Sequence, residues 1–252
     1  MASKGETSSK SSGRDYWAEA RRPLHCLVFL IPLLAAYEVG VLWVAGNDAD
    51  YVRNGADTWM RTWLNQLGFN QPWLLPALVV AVLVIWHVAG KYPGRVSVDT
   101  LVGMFAESLL FAFLLIVFGQ LQDYAFQRWG AGLTMATSAQ SMLLAVTYIG
   151  AGVYEEVLFR LCLLPVCYGF FRLLQLEKGW AAGFAIVATS VAFSLAHYVG
   201  PSGEEFRMFT FAFRALAGLF FALLFVCRGF GIAVGCHAAY DLLVGILLDL
   251  RG

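Results

Sequence analysis

The chain has 252 residues, of which 60% are hydrophobic and 13% charged, and its mean hydropathy is +0.68. Ordinary soluble domains hold roughly 45–50% apolar and about 25% charged residues; here too little polar surface remains to cover a globule, which excludes a soluble enzyme, a disordered protein and a disulfide scaffold. Its 17 basic residues balance 17 acidic ones, which removes the electrostatic case for a nucleic-acid partner.

Residues 1–15 are rich in Ser, Lys and Gly and carry no apolar periodicity. A disordered N-terminal tail is expected over 1–22, ahead of a single transmembrane domain over 23–252. The apolar run 24–45 is longer than the core of a typical secretion signal and suits a first membrane helix, since roughly 20 residues cross the hydrocarbon. A polar loop over 46–71 follows, and its Trp59 and Trp63, with Trp73 just beyond, suit the lipid interface, where Trp is enriched. Further apolar runs cover 73–89, 101–120, 139–176, 180–198, 208–227 and 231–250. The run 139–176 is too long for one span and too short for two. Pro165 and Gly169 are expected to break it, giving a membrane helix followed by a shorter one along or partly in the membrane. The fold class read from this pattern is an all-α polytopic membrane protein, a bundle of seven or eight transmembrane helices.

Lys and Arg placement sets the orientation. With seven spans and the N-terminus inside, the inner segments hold Lys4, Lys10, Arg14, Arg21, Arg22, Lys91, Arg95, Arg172, Lys178 and Arg228. The outer ones hold Arg53, Arg61, Arg128, Arg207 and Arg251. The excess favours a cytoplasmic N-terminus, in a prokaryotic cytoplasmic membrane given that no organelle signal is evident. Cys26, Cys162, Cys167, Cys227 and Cys236 contain no CxxC pair and sit in or beside apolar runs, as small hydrophobes in helix packing do.

The informative residues are the ionisable ones inside apolar runs: Glu38, Glu107, Glu155, Glu156, Arg160, Arg214 and Asp241, with His87, His197 and His237. A charge at the bilayer centre costs about 2.5–3.5 kcal/mol on insertion scales, so such residues must pair, face the bundle interior or line a wet cavity. Glu38 is expected to pair with another helix or to lie near the interface, Glu107 to pair with Arg214, and His87 to lie at the interface. Three groups remain. In Glu155-Glu156-Val157-Leu158-Phe159-Arg160, Glu156 and Arg160 are i,i+4 neighbours with the acid first, the favourable order for an ion pair. Glu155 is rotated about 100° away and lacks that partner. Two carboxylates in different environments are how one site obtains an acid and a base. In Phe193-Ser194-Leu195-Ala196-His197, the aromatic and the imidazole lie one turn apart; Ser194 reads as helix packing. In His237-Ala238-Ala239-Tyr240-Asp241, imidazole and carboxylate stack on one face. Together the three groups suffice for water activation and carbonyl stabilisation.

The pattern EExxxR, then FxxxH, then HxxxD, each on an apolar helix at intervals of about 40 residues, resembles the CPBP family, the CAAX-protease and bacteriocin-processing (Abi) group of intramembrane proteases. The resemblance covers about 142–250. It implies a membrane-embedded peptidase whose eukaryotic members remove the C-terminal tripeptide of prenylated CAAX proteins. It implies Glu155 as the catalytic carboxylate, Glu156 and Arg160 as its supporting pair, with Phe193 alongside. His197 would orient the attacking water, and His237 with Asp241 would stabilise the oxyanion. The best-understood CAAX proteases carry Asn at the last position. Ionised Asp cannot donate to an oxyanion, so Asp241 must be protonated or hold the tautomer of His237; the second option is the more natural. No cofactor is expected. The alternative is a zinc-dependent protease with Glu155, His197, His237 and Asp241 as ligands, although HExxH is absent. An inert scaffold or immunity protein of the same fold is the other. The expected partners are membrane lipid and a peptide or lipidated-protein substrate; the oligomeric state is open.

Overall fold

The computed structural model describes residues 16–45, 52–127, 141–200 and 203–249. Among them every regular element is helical. They are α1 (Pro23–Ala45), α2 (Gly55–Gln66), α3 (Leu74–Ala89), α4 (Val98–Gln127), α5 (Ser141–Gly150), α6 (Leu164–Leu173), α7 (Lys178–Ala196), α8 (Met208–Arg228) and α9 (Phe230–Asp249). Four of them, α1, α4, α7 and α8, are long and apolar enough to cross a membrane; α3 and the 230–245 part of α9 are shorter apolar helices. The chain is an all-helical membrane protein.

The 139–176 run differs from expectation. The chain is helical without interruption from Ser141 to Leu173. Two π-helical segments, Ala151–Glu155 and Val157–Leu163, join α5 to α6. Pro165 does not break this path. It sits at the start of α6, directly after the π segment that ends at Leu163, where the ladder passes from i→i+5 back to i→i+4 bonding. Gly169 continues the helix. In a π turn the hydrogen bonds reach i→i+5, a wider ring than the α turn, and such segments concentrate at functional sites. Here they surround Glu155, Glu156 and Arg160.

Residues 16–22 fall in the expected tail but pack on the bundle. Residues 16–19 are helical and Ala20 is fully buried. Tyr16 Oη donates to Glu107 at 2.6 Å, and Trp17 lies under the Arg228 guanidinium at 3.6 Å. Residues 1–15 lie outside the described ones. The polar 46–71 loop is also more structured than expected, for it contains α2. Asn54 caps that helix by accepting the Asp57 N–H at 2.9 Å, a placement Asn favours because its side chain replaces a missing helical partner. Trp63 and Trp73 are exposed as an interfacial role requires, whereas Trp59 packs against the core.

Helix α9 organises the bundle. It packs against α4, α8, α5 with its π extension, and α1. Gly229, at φ 99°, makes the reversal between α8 and α9 in a region open to glycine without strain. A Cβ there would meet the Arg21 Cα at 2.9 Å. At Gly152, a Cβ would lie 2.6 Å from the backbone N of Ala238. The absent side chain lets the two backbones touch, as small residues do at membrane-helix contacts, and it sets the distance between Glu156 and His237.

The expected Glu107–Arg214 pair does not form. Glu107 accepts from Arg228 through both oxygens at 2.6 Å, and Arg214 bonds Glu204 at 2.6 Å. The reason is length: Arg214 and Arg228 lie 14 residues apart on α8, roughly 20 Å at the helical rise. Glu38 pairs as expected, with Arg61 at 3.0 Å and Arg53 at 3.5 Å. His87 lies in the last turn of α3 and stacks on Tyr92.

Candidate active site

The three motif groups converge. His197 Nε2 stands 4.0 Å from Glu155 Oε2, although 42 residues separate them in the chain. His237 Nε2 approaches the same oxygen at 3.9 Å, and Asp241 Oδ2 lies 3.4 Å from His237 Nε2. On the other side of the ring, His237 Nδ1 donates to Glu156 Oε1 at 2.8 Å. Glu156 in turn pairs with Arg160, Oε2 to Nε at 3.1 Å, as the i,i+4 spacing predicts.

Each imidazole is oriented by its surroundings. His197 ends α7, and its backbone N–H turns to Ser194 O. That tightening frees the Phe193 carbonyl, one of the orphan acceptors every helix C-terminus leaves. The His197 ring takes it, Nδ1 to O at 2.9 Å. A carbonyl only accepts, so Nδ1 carries the proton and neutral His197 presents a bare Nε2 lone pair toward Glu155. His237 is set differently. Its Nδ1 proton is committed to Glu156, so Glu156, not Asp241, occupies the nitrogen that fixes its tautomer. The ring stacks on Phe221 at 4.4 Å, nearly parallel.

Arg160 is sealed beneath these groups. It donates from Nη2 to Gly218 O at 2.9 Å, and its guanidinium faces the Phe193 ring at 4.8 Å. Phe193 in turn meets His197, His237 and Phe159 edge-on at 5.2, 5.8 and 5.2 Å. This aromatic wall excludes water from the Glu156–Arg160 pair, whose side chains are 0% and 1% exposed. Glu155, His197 and Asp241 stay 15–25% exposed, so the site has a dry floor and an accessible face. Ser194 donates to Phe211 O at 2.7 Å, a packing role.

Two contacts were not visible in the sequence. Phe221 lies in an apolar run with nothing to distinguish it from its neighbours. Asn54, in the polar 46–71 loop, donates from Nδ2 to Glu155 Oε1 at 3.2 Å. The Asn-Gly-Ala-Asp run signals a helix start but carries no hint of that long-range contact. Among the described residues, no three His, Cys, Asp or Glu side chains are arranged to hold a metal ion.

These features define a cluster of three carboxylates, two imidazoles and one guanidinium inside the helical bundle, open on one face. Residues 137–243 match the family described as type II CAAX prenyl endopeptidase Rce1-like. The matched segment contains all three motifs, and the resemblance to the CAAX-protease family is shown over that part of the chain. No curated protein and no solved structure matches the chain.

Proposed function

We propose that the protein is an intramembrane endopeptidase that hydrolyses a peptide bond of a prenylated, CAAX-like or other membrane-associated substrate with water activated by Glu155 and His197. The supporting observation is the pair of separations, 4.0 and 3.9 Å, between Glu155 Oε2 and the two imidazole Nε2 atoms. Polar groups at such distances suit a bridging water. In this reading α3, the helix over 141–173 and α9 are further crossings beside the four long helices, giving the seven-span count. The N-terminus is then cytoplasmic, and the host is taken as prokaryotic.

The mechanism follows from the proton positions. His197 Nε2 accepts from the water, and Glu155 removes a proton as the water oxygen bonds the scissile carbonyl carbon. The tetrahedral oxyanion accepts from His237 Nε2. Because His237 Nδ1 already donates to Glu156, that step uses the imidazolium, with the Glu156 and Asp241 carboxylates as its counter-charges. Glu155 then returns the proton to the leaving nitrogen as the C–N bond breaks, leaving a carboxylic acid and an amine, between which the acid proton then passes to give carboxylate and ammonium. No covalent enzyme intermediate forms. Glu156 and Arg160 hold His237 and the helix that carries Glu155.

The test is cleavage of a panel of farnesylated CAAX peptides and transmembrane peptides by purified protein in detergent, with and without a chelator. Glu155→Gln and His197→Ala are expected to lower kcat by about a hundredfold to ten-thousandfold, the range for a lost acid–base group, with the melting temperature kept. Chelator is expected to have no effect. Loss of activity on chelation, restored by zinc, would replace this mechanism with the zinc-dependent one. Unchanged cleavage by Glu155→Gln would refute the role of that residue.

A further inference from the structure

Glu155 ends a flexible side chain whose terminal torsion is broad, and on its own it would sample many directions. One of its oxygens faces both histidines; the other is held by a residue far outside the matched family segment. Asn54 is 5% exposed, and every polar group it has is engaged. Its backbone N–H donates to Tyr37 Oη at 3.2 Å. Its carbonyl accepts the Thr58 N–H at 3.0 Å. Its Oδ1 accepts the Asp57 N–H at 2.9 Å. A backbone N–H can only donate, so that contact assigns the oxygen and leaves the amide NH2 facing the Glu155 carboxylate.

The mount behind Asn54 is rigid. Asp57 is fully buried and bonds Arg53 at 2.7 Å and Arg61 at 2.6 Å; both arginines also reach Glu38 on α1. Tyr37 donates to Asp57 at 2.8 Å. Tyr154, the residue before Glu155, donates to Glu38. The α2 loop and the π segment are therefore tied together on both sides of the Asn54–Glu155 contact.

We infer that Asn54 is a positioning residue of the active site, whose amide holds Oε1 of Glu155 so that Oε2 faces His197 and His237. The inference rests on the reading of Glu155 as the general base. It assigns to the N-terminal half of the chain, which carries none of the three motifs, a part in aligning the chemistry. Asn54 acts through Glu155 and needs no contact with substrate.

The two roles of Asn54, helix cap and donor, separate by substitution. Ser is as good an N-cap as Asn, but its hydroxyl is shorter and is used up by the Asp57 N–H. Asn54→Ser therefore keeps the cap and removes the donor. Asn54→Asp keeps the cap and sets an acceptor against Glu155. With a farnesylated CAAX peptide, Asn54→Ser is expected to lower kcat about 10- to 100-fold, the usual range for a lost orienting partner, with KM within about twofold and the melting temperature retained. Asn54→Asp is expected to lose more. A second readout needs no substrate: the infrared band of the Glu155 carboxyl group, isolated as wild type minus Glu155→Gln, is expected to shift in Asn54→Ser. An unshifted band, or a fall in activity that only follows a fall in folded fraction, would overturn the inference. Full activity in Glu155→Gln would instead sink the reading of Glu155 as base, and the band shift would still report whether the hydrogen bond exists.

Discussion

Two clusters of ionisable groups lie side by side at this end of the bundle, and they are built differently. The first, Glu38 and Asp57 with Arg53 and Arg61, has two acids and two bases. Each guanidinium touches both carboxylates, at 2.6–3.5 Å. The second, Glu155, Glu156 and Asp241 with Arg160, has three acids and one base, and the two imidazoles make up the rest. The balanced cluster has no group left to gain or lose a proton without breaking a pair. The unbalanced one needs a proton somewhere among its members, and only the unbalanced one leaves a carboxylate oxygen facing two imidazole nitrogens. A charge cluster inside a membrane protein thus reads as a brace when its charges cancel pairwise and as a chemical site when they do not.

Removing one cation from each cluster would break this comparison most sharply. Arg160→Met leaves Glu156 buried without its counter-charge, and a broken buried pair costs about 3–5 kcal/mol. Arg61→Met leaves Arg53 to serve both Asp57 and Glu38, and is expected to cost only about 1.5–3 kcal/mol, the range for hydrogen bonds to charged groups. Thermal unfolding of the two variants in one detergent measures the difference. Equal losses would show that charge balance does not distinguish the clusters. Cleavage per folded molecule is expected to fall in Arg160→Met and to hold within a few-fold in Arg61→Met.

A smaller effect is expected at Gly152. A methyl group there meets the backbone of Ala238, which cannot move as a side-chain tip can, and overpacking of this kind costs typically about 1–3 kcal/mol. Gly152→Ala is expected to lower the melting temperature and to lower kcat as well, because His237 precedes Ala238 on the displaced backbone. A loss of stability with kcat intact would show that α9 adjusts without moving His237.

The smallest effect belongs to Glu204, in the loop just after His197, whose backbone N–H bonds His197 O at 2.9 Å. The hydrogen bond from Arg214 holds its carboxyl below the ordinary glutamate value. A carboxyl depressed on folding adds stability above its unfolded value and loses it as pH falls through the folded value. The gap in melting temperature between wild type and Glu204→Gln is therefore expected to be largest near neutrality and to close below the ordinary glutamate range. Glu204 is half exposed, so solvent screening keeps the underlying stability difference small, under about 0.5 kcal/mol. A gap that widens on acidification would contradict the pairing.

Much of the site was legible in the sequence because its parts are local. The Glu156–Arg160 pair follows from an i,i+4 spacing on one helix, and the His237–Asp241 approach follows from the same rule. The three motif groups could be recognised together because each places charge where a membrane helix has none to spare. The errors lie where sequence spacing carries no geometry. Glu107 and Arg214 were paired by sign alone, and the helix length forbids it. Pro165 was read as a break, but the π segment before it lets the helix pass. The 46–71 run reads only as a polar loop, because nothing in its composition states which helix it meets.

The sequence by itself determined that this is an all-helical membrane protein, which ionisable residues sit inside its apolar runs, and which of them pair within a turn. Those properties depend on composition and on helical periodicity, both of which are local. Only the tertiary structure decided that Glu156 rather than Asp241 holds His237 Nδ1, that His197 is oriented by the carbonyl its own helix end sets free, and that Asn54 reaches Glu155 from 101 residues away. Those contacts depend on how closely backbones approach, at Gly152 above all, and on where α2 lands. Packing between distant segments sets both, and no periodicity in the chain records it.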